Sequence, residues 1–161
     1  MPLRTQDTWT HGAVMQDAQH TRFALWAPDA FSVSVEWADG QSLPMLPQVD
    51  GWFVLNTRCP AGTRYRFNID GEHDVPDPAS RAQVRGPESH SIVVDPLAYR
   101  WQHTAWQGRP WHQAVIYELH VGLLGGFSEV RSHLVRLVEL GITAIELMPL
   151  AQFPGERNWG Y

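Results

Sequence analysis

Two carboxylates, Glu118 and Glu146, occupy similar places in two short apolar runs, Ala114-Val-Ile-Tyr-Glu-Leu-His-Val121 and Ile142-Thr-Ala-Ile-Glu-Leu147. If both runs are neighbouring parallel strands, the two acids stand side by side. Paired carboxylates can divide a reaction between a nucleophile or base and an acid. Neither lies at the C-terminal tip of its run, however, which is where reacting groups gather in a parallel barrel. Both are read as structural acids. His120 is closer to the tip, but no neighbour in the sequence would tune it as a base, so it is read as a group that orders the following loop. The chain also carries eight tryptophans. A flat indole can stack on the apolar face of a sugar ring or fill a β-sheet core. Trp26, Trp37 and Trp52 are the candidates for a stacking platform. Trp37 shares an alternating face with Val33 and Val35, which argues for the core.

The composition removes other kinds of chemistry. The chain of 161 residues has a formal net charge of -5 and no basic block, so nothing would neutralise a row of phosphates and no nucleic-acid partner is expected. Cys59 is the sole cysteine, which rules out an intrachain disulfide. The first 16 residues lack the apolar run of a signal peptide, and no segment approaches the ~20 apolar residues of a membrane span. No membrane partner is expected, and the expected compartment is the cytoplasm. Eight histidines show no ligand spacing and no cysteine pair accompanies them, so neither a metal nor another cofactor is expected.

The elements that must position these residues fall into two styles. Over residues 1–95 short alternating segments predominate. Phe31, Val33, Val35 and Trp37 alternate with polar residues. Thr63, Tyr65, Phe67 and Ile69 do the same before Asp70-Gly71, a hairpin signal. Shorter strand candidates cover 23–27, 52–55 and 92–94. Such spacing predicts an antiparallel β-sandwich of immunoglobulin-like architecture. The proline-rich stretch 75–81 is predicted to be an ordered extended loop. Residues 96–111 read as a linker, and its aromatics Tyr99, Trp101 and Trp106 are expected to pack against something.

The period changes over 112–161. Residues 114–121 read as a strand and 122–126 as a loop. Ser128 reads as a helix cap with Phe127 packed ahead of it. Val130, Leu134, Leu137 and Val138 recur at helical spacing. Gly141 is placed to end the helix in a left-handed turn, and 142–147 reads as a buried strand. Strand, helix and strand make a βαβ unit with parallel strands and a right-handed crossover. One such unit cannot cover both faces of its own sheet. It is read as the truncated start of a (β/α)8 barrel, a fold that needs about 250 residues.

The run Ala114-Val-Ile-Tyr-Glu-Leu-His-Val-Gly122, with Leu140-Gly-Ile-Thr-Ala-Ile-Glu-Leu-Met-Pro-Leu-Ala-Gln-Phe-Pro-Gly-Glu-Arg-Asn-Trp-Gly-Tyr161, resembles the opening of the catalytic barrel in glycoside hydrolase family 13. Within it the trehalose-releasing members are the most similar, and the Asp77-Pro-Ala-Ser-Arg81 loop resembles them too. The preceding sandwich is similar to the β-domain that comes before the barrel in such enzymes, in branching enzymes and in isoamylases. The loop Leu123-Leu-Gly-Gly126 departs from the pattern, being shorter and more apolar. The resemblance implies retaining hydrolysis by two carboxylates at later barrel strands, so no catalytic residue is assigned and this stretch of chain is expected to be inactive. The implied substrate is an α-1,4-glucan or maltooligosyl-trehalose. Tyr161 aligns with the tyrosine beneath the sugar at the cleavage subsite, and Asn158 and Trp159 precede it in the same loop. These three are the substrate-binding residues that the resemblance implies. Branching or debranching enzymes share the same elements, and the sandwich could act alone as a carbohydrate-binding module.

Overall fold

The computed structural model describes residues 10–156. They fall into two compact units that divide between Tyr99 and Arg100.

The first unit holds nine strands: β1 (Gly12–Met15), β2 (His20–Trp26), β3 (Val33–Trp37), β4 (Ser42–Pro44), β5 (Leu46–Pro47), β6 (Trp52–Arg58), β7 (Arg64–Ile69), β8 (His73–Val75) and β9 (Ser91–Ile92). They form two antiparallel sheets. One has the order β1-β2-β6-β5; the other is β4-β3-β7-β8, with β9 also paired to β7. Alternation explains the arrangement. In β2, Thr21, Phe23 and Leu25 turn inward, and Phe67 and Tyr65 do so in β7. Residues from both sheets join one core around Phe23, whose ring meets Tyr65 edge-on at 4.9 Å and Trp37 at 5.5 Å. Burying rings of this size is the main source of the unit's stability.

The chain changes sheets at Met45. Ser42–Pro44 pairs with β3 and Leu46–Pro47 with β6, while Met45 between them is buried. Both prolines therefore lie on edge strands, where a missing N–H costs no ladder bond. The fully buried Thr21 hydroxyl is satisfied by donating to the Cys59 carbonyl at 2.6 Å. Burial also pushes the Cys59 thiol above its usual range.

The second unit contains β10 (Ile116–Leu119), α1 (Phe127–Glu139) and β11 (Ala144–Leu147). The two strands pair in parallel, and α1 lies between them in sequence. The ladder runs on at both ends, through Thr143 N–H to the Val115 carbonyl at 3.0 Å and Met148 N–H to the Leu119 carbonyl at 3.0 Å. The helix stops as its sequence suggests. The Gly141 N–H reaches the Val138 carbonyl and the Ile142 N–H the Leu137 carbonyl, with Gly141 at φ 88°. That double closure is the Schellman motif, and glycine adopts its left-handed residue without strain. Leu119, Val121 and Val130 form a small core, with Leu147 against it. No helix among the described residues is long and apolar enough to cross a membrane.

Four local expectations are corrected. Phe31 precedes β3 and is 95% exposed; its N–H and that of Ser32 are instead tied to the Asp70 carboxylate. Ser128 does not cap α1: the cap position is Gly126, without a side-chain bond, and Phe127 is already helical. The apolar run 142–147 is not a fully buried strand, because Ala144, Ile145 and Glu146 are exposed. The connector aromatics Trp101 and Trp106 are exposed too.

Candidate functional site

Glu118 and Glu146 are direct register partners across β10 and β11. Partners in a parallel pair project to the same side, so the two acids do stand together on one face. Both are exposed. The pair lies inside the strands, each followed by Leu119 or Leu147. Among the described residues no cluster of three or more His, Cys, Asp or Glu is placed to hold a metal ion. His120 lies just past β10, where its Nδ1 accepts the Leu123 N–H at 3.2 Å. That bond holds the first turn of the loop leading to α1, and its carbonyl accepts a further N–H from Leu124. Asn158, Trp159 and Tyr161, the residues assigned to substrate, lie outside the described residues.

The three candidate tryptophans separate. Trp37 packs against the core beside Phe23. Trp26 and Trp52 are cross-strand partners on the outer face of the first sheet. Trp26 is 56% exposed, and its indole N–H donates to the Asp50 carbonyl at 2.9 Å, which fixes the ring. Trp52 meets the His11 ring edge-on at 4.7 Å. Between these residues the turn Val49–Gly51 comes very close to Pro28: a Cβ on Gly51 would stand 2.6 Å from the Pro28 Cα.

Sequence reasoning did not locate a buried polar cluster around Asp77, although it singled out that loop. Asp77 is only 3% exposed. Its Oδ2 accepts the Tyr65 hydroxyl proton at 2.5 Å and its Oδ1 the Ala79 N–H at 2.7 Å. Its own N–H donates to Ser91 Oγ at 3.0 Å. Arg81 anchors the far side of the loop by donating to the Ala13 carbonyl at 2.8 Å. Burial raises the Asp77 carboxyl above its usual range, against the opposing pull of the Tyr65 bond. Burial and the adjacent Asp77 charge push the Tyr65 phenol up as well. A signal was available: Tyr65 sits on an inward position of an alternating strand, and a buried phenol needs a partner. The cluster pins the proline-rich loop to the core. Its members Asp77, Tyr65 and Ser91 are all buried.

Comparison with known proteins follows this geometry closely. A malto-oligosyltrehalose trehalohydrolase from Brevibacterium helvolum is 40% identical over 150 residues, which cover 87% of this chain and 25% of that protein. The trehalohydrolase of Saccharolobus solfataricus is 38% identical over 151 residues, 90% of this chain and 26% of its own length. A 1,4-alpha-glucan branching enzyme from Pseudoalteromonas atlantica is 34% identical over 168 residues, 88% of this chain and 23% of that enzyme. Among solved structures, a Salmonella typhimurium protein provisionally named alpha amylase superposes with a TM-score of 0.88 at 44% identity, covering 94% of this chain and 26% of that one. Apo pullulanase from Paenibacillus barengoltzii does so at 0.72 and 27%, covering 86% and 26%. No family model matches. Over most of its length the chain is thus related to malto-oligosyltrehalose trehalohydrolases, and it spans about a quarter of theirs.

Proposed function

We propose that a chain with this kinship is the N-terminal part of a retaining α-glucan hydrolase of glycoside hydrolase family 13. The first unit is its immunoglobulin-like β-sandwich, and the second is the first βαβ unit of its (β/α)8 barrel. The whole protein hydrolyses the α-1,4 bond next to the terminal trehalose of maltooligosyl-trehalose, in the cytoplasm. The observation that carries this reading is the 40% identity to a trehalohydrolase across 87% of the chain.

In that reading the first βα unit supplies structure and one wall of the cleft. The loop after β11 presents Asn158, Trp159 and Tyr161 at the C-terminal face of the barrel, where substrate binds in this fold. The Tyr161 ring lies beneath the sugar at the cleavage point, where an aromatic face favours the developing oxocarbenium charge. Glu118 and Glu146, inside their strands, take no part in bond cleavage. The reacting carboxylates come from later strands, so residues 1–161 alone release no trehalose.

Reading the coding sequence past the codon for Tyr161 tests this directly. Further βα units bearing Asp and Glu at the fourth, fifth and seventh strand ends are expected; their absence, or trehalose release by the 161-residue chain alone, would overturn the reading. Branching or debranching is the second reading, favoured by the 34% identity to a branching enzyme. A new α-1,6 branch, or linear chains freed from a branched glucan, would decide for it.

A further inference from the structure

We propose that His120 is a substrate-binding residue: its imidazole, held as the neutral Nε2–H form, donates a hydrogen bond to a hydroxyl of the glucan. The proposal rests on the reading above, in which the C-terminal ends of β10 and β11 face the substrate.

The tautomer follows from one bond. The Leu123 N–H points at the His120 Nδ1 at 3.2 Å. A backbone N–H can only donate, so Nδ1 is the acceptor and the ring proton of a neutral imidazole sits on Nε2. The ring is also fixed in place. Gly122 lies so close that a Cβ there would stand 3.1 Å from the His120 Cε1 and 3.4 Å from Nδ1. The His120 carbonyl accepts the Leu124 N–H at 3.3 Å, and the Gly126 N–H closes on the Val121 carbonyl at 2.9 Å. A donor aimed before the ligand arrives loses little entropy on binding.

Its direction follows from its neighbours. Leu119 and Val121 are buried against Val130 of α1. His120, between them, turns to the opposite face, the one that carries Glu118 and Glu146. In a barrel that face looks toward the axis, and the end of β10 lies at the mouth where substrate binds. The end of β11 is level with it, since Leu119 and Leu147 are register partners and the Met148 N–H reaches the Leu119 carbonyl. The loop that starts at Met148 leads on in sequence to Asn158, Trp159 and Tyr161.

The chemistry left open is that of a neutral donor. The Nε2 atom of the half-buried His120 has no hydrogen-bond partner among the described residues. From Leu119 to Phe127 every other side chain is apolar or absent, so this imidazole is the one side-chain donor that the first βα turn can offer. A neutral N–H suits an uncharged polyhydroxy ligand, whose hydroxyl oxygen accepts from it and passes its own proton onward.

The test separates the two nitrogens. In His120→Asn the carboxamide oxygen replaces Nδ1 and keeps the Leu123 bond, while the Nε2–H donor is lost. In His120→Gln the loop bond is lost and an amide N–H returns near the Nε2 position. Both are made in the protein encoded by the complete reading frame and assayed on maltooligosyl-trehalose. His120→Asn should raise KM about three- to tenfold with kcat within about twofold and the melting temperature unchanged, the mark of lost binding. His120→Gln should raise KM less. Nitrogen-15 NMR of the 161-residue chain in mildly alkaline buffer should show the His120 proton on Nε2. The proposal is overturned by wild-type kinetics in His120→Asn, by a greater KM defect in His120→Gln, by a fall in kcat at unchanged KM, by a lowered melting temperature in His120→Asn, or by a proton on Nδ1. If the wild type makes α-1,6 branches and no trehalose, the trehalose-releasing reading fails on its own, and the same comparison with amylose as substrate still decides the role of His120.

Discussion

Replacing Asp77 by alanine should unfold the first unit's loop from its core. The carboxylate accepts two bonds, from the Tyr65 hydroxyl at 2.5 Å and the Ala79 N–H at 2.7 Å, in a site that is 3% exposed. Alanine leaves both donors without a partner. Each orphaned donor costs about 1–3 kcal/mol, so the two together cost about 2–6 kcal/mol. For a unit of this size 1 kcal/mol moves the midpoint by about 4–8 °C, which gives a fall of about 10 °C or more in thermal denaturation followed by circular dichroism. Tyr65→Phe should cost less than Asp77→Ala, and the double variant should cost less than the sum, because both remove the same bond. The pH dependence follows in sign. The folded state raises the Asp77 carboxyl above its ordinary 3.8, so it binds the proton more tightly than the unfolded chain. This group's contribution is fully present below that value and is lost as pH rises through the raised one. The stability of wild type relative to Asp77→Asn should therefore fall as pH rises from about 4. A midpoint within 2 °C of wild type for Asp77→Ala, or additive costs in the cycle, would refute the argument.

Gly51→Ala should destabilise the first unit by about 2–4 kcal/mol, since φ is +79° and the new Cβ would stand 2.6 Å from the Pro28 Cα; urea titration measures it. Phe23→Ala removes the ring that meets both Trp37 and Tyr65 and should cost about 3–5 kcal/mol in the same titration. Brief trypsin treatment should cut after Arg100, an exposed side chain at the division between the units, and intact-mass analysis should find a resistant piece ending there. Glu146→Gln removes one of two like charges in register on an exposed face and should stabilise the second unit by about 0.3 kcal/mol, with a smaller gain in high salt.

Much of the fold was legible because burial writes a period into sequence. Phe23 and Leu25, Val33 and Val35, and Tyr65 and Phe67 alternate inward as their strands require, and the core is built from them. Gly141 announced the end of α1 for a steric reason that needs no tertiary context. What escaped were elements whose residues carry no period. Leu46–Pro47 and Ser42–Pro44 are edge strands too short to alternate twice, and β8, only three residues long, follows directly on the turn at 70–72. Phe31 misled because hydrophobic type alone cannot tell a strand residue from an exposed loop residue; the pair of bonds from Asp70 places it outside. The pairing of Glu118 with Glu146 was legible, since matching positions in two parallel strands fall in register. The cluster around Asp77 was not, because it joins residues 12 to 14 positions apart through side chains that point inward from a loop and two strands.

The central claim is that this chain is the opening of a trehalose-releasing α-glucan hydrolase. The most direct measurement is product analysis of the protein encoded by the complete reading frame, incubated with maltooligosyl-trehalose and followed by chromatography and by proton NMR of the freed reducing end. The account predicts free trehalose and a malto-oligosaccharide released first as the α-anomer, as a retaining mechanism requires. Release of the β-anomer, a new α-1,6 branch or no trehalose at all would contradict it.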